Sequence, residues 1–410
     1  MGVFYVSKAT HIVGGEIVYK HIANDSFEIR LDLYIDCFNG NPGAIQIDSI
    51  AMLGIFDTAG TLIRSMVSPR GLPQRINSVN YNCVIPPTNA CVDQYSYLYY
   101  TSLPKIPGGY IVSFQRCCRN NSINNIINPG SSGATYWASI PDTSHTAGYN
   151  SSARFNSLPP NFICNARDFI FDHSATDPDG DSISYKLYTP YIGADPFNNT
   201  PRPPASPPYS GVFWLPPYSE QEMMNGNPEL AIDSVTGRLT VKPVNTGQFV
   251  VGIAAYEYRK GNLININRRD FQFNVLNCVF NTVSSIGKDI AVCNDTVRFI
   301  NTSVGADTYL WTFGDSLTTK DTSTLKEPIY VYPGPGRYTV KLVVYKGNCS
   351  DSSFSKIEIT QDTFRFAGRD TSICKGASVM IGTNDTAGFN YTWSPSLFLD
   401  DSLSGMPTST

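Results

Sequence analysis

The chain has 410 residues, 41% hydrophobic and 12% aromatic but only 16% charged, with a net charge of −4. That length exceeds one ordinary domain and suggests about three or four. There is no Lys/Arg stripe to neutralise phosphates, which argues against a nucleic-acid partner, and no run of about 18 apolar residues, which argues against a transmembrane segment. Asn, Ser, Thr, Gly, Pro and Tyr fill the space the charges leave. These residues suit tight turns and pleated strands, so the fold expected is all-β, in tandem sandwiches.

In chain order, Met1 to Ala9 holds only a brief apolar run, Val3-Phe4-Tyr5-Val6, and is expected to be a signal remnant or disordered. A first sandwich is expected over 10–150. Phe27 to Asp36 alternates apolar and polar, which places Phe27, Ile29, Leu31, Leu33 and Ile35 on one buried face. Tyr95-Ser96-Tyr97-Leu98-Tyr99 and Tyr110 to Phe114 read the same way, and Tyr97, Tyr99 and Tyr100 divide between core and surface. A second sandwich is expected over 151–278, with strands flanking the acidic turn Asp177-Pro178-Asp179-Gly180-Asp181. Ser219 to Glu222 has capping-box spacing and predicts a short helix stopped at Asn225-Gly226. A third unit covers 279–361. A fourth begins after 362 and reaches Thr410 about half a sandwich later, as a truncated repeat would.

The third unit is similar to PKD-type (polycystic kidney disease) immunoglobulin-like domains. The resemblance rests on Tyr309-Leu310-Trp311-Thr312-Phe313-Gly314-Asp315, on Tyr330-Val331-Tyr332 and on Pro335-Gly336-Arg337-Tyr338-Thr339-Val340. It implies a core of Trp311, Phe313 and Tyr338. Ser316 departs from the family, which often carries Gly there. The first two units resemble the N-terminal region of large secreted proteins of the Bacteroidetes, through His11 to Glu16, Leu33 to Cys37 and Gln115 to Asn120. Ala175 to Tyr185 also resembles bacterial cadherin-like repeats, so the fold implied is tandem immunoglobulin-like and cadherin-like β-sandwiches. The resemblance implies a cell-surface or outer-membrane-associated protein, type IX secretion, and adhesion or gliding motility. Tyr391-Thr392-Trp393-Ser394-Pro395 resembles the start of another immunoglobulin-like repeat.

Ten cysteines without a C-x-x-C pair, beside four scattered histidines, point to disulfides in an oxidising compartment rather than zinc. Cys117 and Cys118 are adjacent. Neighbouring Cα atoms sit about 3.8 Å apart, too short for a bridge, and on a strand the two side chains face opposite ways, so each should have its own partner, with Cys37 and Cys164 favoured. Cys83 and Cys91 are expected to staple one loop, and Cys293 and Cys349 to close the third unit. Cys374 is expected to pair beyond Thr410, and Cys278 has no evident mate.

Asp177, Asp179 and Asp181 form a candidate calcium site, with Glu257 as an outer contributor. A plain solvated turn is the stronger reading, and no other cofactor is expected. Arg116, Arg119, Arg268 and Arg269 read as locally paired rather than as an acidic-glycan surface. No nucleophile elbow, zinc-protease motif, P-loop or dinucleotide fingerprint occurs, so the chain is expected not to be an enzyme. The function expected is a secreted or cell-surface structural or adhesive protein with a glycan or protein ligand on its loops. The alternatives are an accessory region of a secreted hydrolase and a free-standing carbohydrate-binding module.

Overall fold

The computed structural model describes residues 11–76, 83–146, 148–287, 291–293, 295–359, 370–384 and 390–410. The segment 1–9 and the boundary expected at 361/362 lie outside them. The chain divides into two compact units, Met1–Phe280 and Asn281–Thr410.

The principal strands of the first unit are β1 (Ile12–Ala23), β2 (Ser26–Asp36), β3 (Ile50–Asp57), β4 (Leu62–Pro69), β5 (Val92–Ser102), β6 (Tyr110–Arg116), β7 (Ala134–Ile140), β8 (Ser182–Leu187), β9 (Gly247–Arg259) and β10 (Asn262–Leu276). One large sheet runs β8-β9-β10-β1-β2-β5, with Gln74–Arg75 beyond β5 and Ile163–Cys164 parallel to β10. A second sheet runs β4-β3-β6-β7, and a third joins the short strands Phe169–Asp172, Arg238–Val241 and Ala231–Ile232.

Register shows how these layers stack. Gly14 stands opposite both Phe271 and Tyr34, so these share one face, while Gly15, opposite Asp270 and Leu33, belongs to the other. On the first face Tyr34, Val251, Phe271 and Phe273 pack with Phe169, Phe171, Leu239 and Val241 of the three-stranded sheet. On the second, Ile29, Leu31, Leu33, Tyr97 and Tyr99 pack with Leu53, Ile55, Val112, Phe114 and Tyr136 of the four-stranded sheet. The large sheet is therefore a middle layer, covered on both sides.

Two-sided cover explains why β9 reads Phe-Val-Val-Gly-Ile-Ala-Ala without alternation. It also explains Gly14, where an added Cβ would stand 2.6 Å from the Phe271 Cα. The two sandwiches expected at 10–150 and 151–278 are thus one interlocked unit. β1, β2 and β5 come from the first stretch and β8, β9 and β10 from the second, joined where β1 pairs β10.

Charge is buried at this join. Glu16 faces Arg269 across the β1–β10 register and is ion-paired with it, Arg269 Nε donating at 2.9 Å and Tyr34 Oη at 2.8 Å. Arg119 pairs with Asp270 at 2.7 Å, and Arg116 pairs with Asp48 at 2.7 Å while His11 meets the other Asp48 oxygen. All eight residues are buried. Arg268 instead lies over the Trp137 ring, 4.0 Å from its centroid.

The helix expected from Ser219 does not form. The Glu222 N–H does donate to the Ser219 hydroxyl at 3.1 Å, but the Ser219 N–H donates back to the Glu222 carbonyl, which closes a tight turn and buries Met223 and Met224. A helix at Pro42–Ile47 was not foreseen. Asn41 caps it, its side chain accepting from the Gly43 and Ala44 N–H groups.

In the second unit, β11 (Thr308–Thr312), β12 (Gly336–Lys346) and β13 (Cys349–Ile359) form a sheet with the short strand Thr322–Ser323. A three-stranded sheet of Ala291–Cys293, Thr296–Arg298 and Ile329–Val331 completes the sandwich. Trp311, Phe313, Phe299, Tyr332, Val340 and Leu342 fill the core, and Trp311 Nε1 donates to the Leu325 carbonyl at 3.0 Å. Gly314 turns the chain at φ +77°. Tyr338 is half-buried against this core, its hydroxyl donating to the Gly334 carbonyl at 3.0 Å. In the last stretch Val379–Met380 pairs with Thr408–Ser409, and Leu397, Phe398 and Leu403 are exposed.

Replacing Arg269 with Met should lower stability by about 3–5 kcal/mol, because Glu16 is left buried without its counter-charge. Urea denaturation followed by tryptophan fluorescence reads this directly. Trp311→Ala should cost about 3–5 kcal/mol in the second unit alone, through the cavity it leaves. An unchanged midpoint for either variant contradicts its assigned place.

Candidate functional site

The acidic turn sits where β8 meets β9. Asp177 Oδ1 accepts from the Asp179 N–H at 2.8 Å and the Asp181 N–H at 3.0 Å, so the turn closes on its own first carboxylate. Burial raises the Asp177 pKa, against those two N–H donors. The carboxylates of Asp177, Asp179 and Asp181 each bring one oxygen within 4.8 Å of the others.

A guanidinium answers this charge. Ser182 stands opposite Tyr258, so the register carried one step further puts Asp181 opposite Arg259. Arg259 grips Asp181 with both arms, Nη2 to Oδ2 at 2.6 Å and Nε to Oδ1 at 2.8 Å, and lies 3.7 Å from Asp179. Its remaining donors reach the Thr146 carbonyl at 3.0 Å and Asn150 Oδ1 at 3.0 Å. Asp179 Oδ2 also accepts from the Ser151 N–H at 2.5 Å. Asp177 Oδ1, Asp179 Oδ2 and both Asp181 oxygens are thus engaged by the chain's own donors. Asp177 Oδ2 is the exception, buried with no hydrogen-bond partner.

Glu257 stands behind the turn and is fully buried. It accepts from the Ala153 N–H at 2.7 Å, Asn150 Nδ2 at 3.1 Å and Asn265 Nδ2 at 3.1 Å. Burial pushes its pKa up to about 7 in spite of these donors, and Asp177 adds to the rise. Glu257 is held within its own hydrogen-bond network.

The cysteines pair differently from expectation. Cys37 is bridged to Cys91, with Cα atoms 5.3 Å apart. The cause is register: Asp36 stands opposite Val92, and the next pair outward is Cys37 with Cys91. Cys91 is therefore not the staple partner of Cys83. Cys164 is bridged to Cys278, with Cα atoms 5.4 Å apart, because Cys164 lies beside Leu276 on the parallel pairing with β10. Cys117 and Cys118 are bridged to each other rather than to Cys37 and Cys164. The peptide between them is cis, and the Cα atoms are 3.0 Å apart, so the spacing of a trans pair does not apply. Cys349 carries an unbridged thiol, and the closure expected with Cys293 involves a side chain that lies outside the described residues. Cys374 is an exposed free thiol.

The second unit carries its own signature: stacked Phe313 and Tyr330 rings 4.2 Å apart, Tyr330 Oη on Asp315 at 2.9 Å, and Tyr332 Oη on the Phe313 carbonyl at 3.0 Å. Residues 282–360 match the PKD domain family. Among solved structures, the chain is similar to the PKD1 domain from the Vibrio cholerae metalloprotease PrtV, at 29% identity over 19% of this chain and 95% of that one, with a TM-score of 0.17. It is also similar to the chicken CNTN1 FN1–FN3 domains, at 9% identity over 86% of this chain and 100% of that one, TM-score 0.18. A third similarity is to dimeric latent PorU from Porphyromonas gingivalis, at 12% identity over 86% of this chain and 34% of that one, TM-score 0.19. No curated protein matches the chain. Among the described residues no helix is long and apolar enough to cross a membrane.

Because the Glu257 pKa is raised above its ordinary 4.5, the native state holds a proton that the unfolded chain releases. Its contribution to stability is full below about pH 4.5 and is lost as pH rises towards 7, at a limiting slope of about 1.4 kcal/mol per pH unit. Denaturation of the wild type and of Glu257→Gln across that window should show the slope in the first and a flatter line in the second. Parallel slopes exclude Glu257 as the titrating group.

Proposed function

We propose that this chain is a non-catalytic structural or adhesive part of a secreted or cell-surface protein, a rigid β scaffold that presents recognition loops. The observation that carries this reading is where the charge goes. Glu16, Asp48, Asp270 and Asp181 are consumed by Arg269, Arg116, Arg119 and Arg259, so these acids meet guanidinium partners rather than a substrate. Three disulfides in the first unit and a PKD domain in the second fit an extracellular module. The run His11 to Glu16 and the Cys117-Cys118 segment extend the reading to a Bacteroidetes-type surface protein of the gliding or adhesion kind, exported by a type IX route.

Surface biotinylation of intact source cells, followed by peptide mapping without reduction, tests this. The chain should be labelled from outside and should yield peptides linking Cys37 to Cys91 and Cys164 to Cys278. A chain protected from the label, with these cysteines reduced, overturns the reading.

A further inference from the structure

One end of the first unit holds a cleft of about 290 Å³ that the buried ion pairs do not reach. Its walls come from three places: the turn after β2 with Asp36 and Asn39, the loop before β5 with Asn89 and Cys91, and the adjoining ends of β9 and β10 with Gln248 and Asn274. The Cys37–Cys91 bridge ties the first two walls together, and Cys164–Cys278 anchors the chain just past β10. Gly247, at φ +146°, lines the cleft with no side chain of its own. A cleft braced in this way is set before any ligand arrives, which lowers the ordering cost of binding.

The chemistry of the lining narrows the ligand. Among its polar side chains carboxamides are the most numerous (Asn39, Asn89, Gln248 and Asn274), and each offers two donors and an acceptor. The one carboxylate, Asp36, is buried and already accepts from the Phe38 N–H at 2.9 Å, the Asn39 N–H at 2.8 Å and Asn39 Nδ2 at 3.1 Å. Asn274 is held by Gln272 Nε2 at 2.9 Å and by the Asn161 carbonyl at 2.9 Å, and Gln248 is held by the Ser122 hydroxyl. Among the described residues neither Lys nor Arg lines the cleft, so no cationic side chain there favours an anion. Among the described residues no aromatic side chain lines the cleft, and its apolar lining is Ala90, Val275 and Leu276. The volume lies at the small end of ligand clefts, roughly 300–1,000 Å³.

We infer that this cleft binds a neutral saccharide unit, whose hydroxyls both donate and accept, through Asn39, Asn89 and Gln248. The inference rests on reading the chain as a recognition scaffold and gives that scaffold a site and a ligand class. The test is isothermal titration of the full chain with glucose, galactose, mannose, N-acetylglucosamine and their short oligomers, with glucuronic and sialic acids as acidic counterparts. Asn89→Ala is the first variant, since Asn89 is exposed and its loss leaves the fold intact. Asn39→Ala is the second, and melting curves of both confirm folding. Binding of a neutral sugar that Asn89→Ala weakens about tenfold, the worth of one polar contact, supports the site. No binding across the panel, preference for the acidic sugars, or binding indifferent to both variants overturns it. Those results leave the proposed extracellular role standing, because surface labelling and the disulfide map decide that separately.

Discussion

The antiparallel pairing of β1 with β10 is the constraint on which the first unit depends. It joins residues about 250 positions apart, and its register sets Glu16 directly opposite Arg269. Burying that pair would be unfavourable if either member stood alone. Here Tyr34 Oη donates to the same Glu16 oxygen, and Arg269 also donates to the Ser157 carbonyl at 2.8 Å while lying over the Phe155 ring. A slip of one residue would turn every side chain of β1 to the opposite layer and separate Glu16 from Arg269. A slipped register would therefore leave both charges buried without partners, which disfavours it. The pair selects one register from among those that hydrophobic cover alone would allow.

Much of this was legible along the chain, and the exceptions have a common cause. Alternation from Phe27 to Asp36 correctly marks Ile29, Leu31 and Leu33 as core, because a period of two is a local property of the strand. Trp311 and Phe313 are likewise legible, since two aromatics two apart on a strand must share a face. The missed boundary at residue 150 is non-local, yet two local signals point to it. The unbroken apolar run from Phe249 to Ala255 marks a strand covered on both faces, and the Gly14-Gly15 pair marks a place where another backbone approaches closely. Read together, they describe a middle layer, which a simple two-sheet sandwich does not have.

The disulfides and the acidic turn fail and succeed for the same reason. Cys37 with Cys91 and Asp181 with Arg259 are each the pair one step beyond a ladder, after Asp36 opposite Val92 and Ser182 opposite Tyr258. Loop length and spacing carry no information about such pairs; register does, and register is fixed by contacts between distant segments. Proximity in sequence favoured Cys83 for Cys91, whereas proximity across the ladder selected Cys37. The acidic turn itself was found because three aspartates in five residues are conspicuous, but its counter-ion, 78 residues further on, was not.

The same accounting bears on recognition. Arg269, Arg116 and Arg119 are buried on Glu16, Asp48 and Asp270, and Arg259 is half-buried on Asp181, so these four charges are neutralised within the scaffold. At the braced end of the first unit the polar side chains are four carboxamides, Thr246 and the internally bonded Asp36. Such groups discriminate by the placing of donors and acceptors rather than by long-range attraction, and their contacts depend little on salt. Rigidity is then essential, because a hydrogen bond a few tenths of an ångström out of place loses most of its selectivity. The Cys37–Cys91 bridge joins the two walls that carry Asn39 and Asn89, the place where this architecture most needs to resist movement.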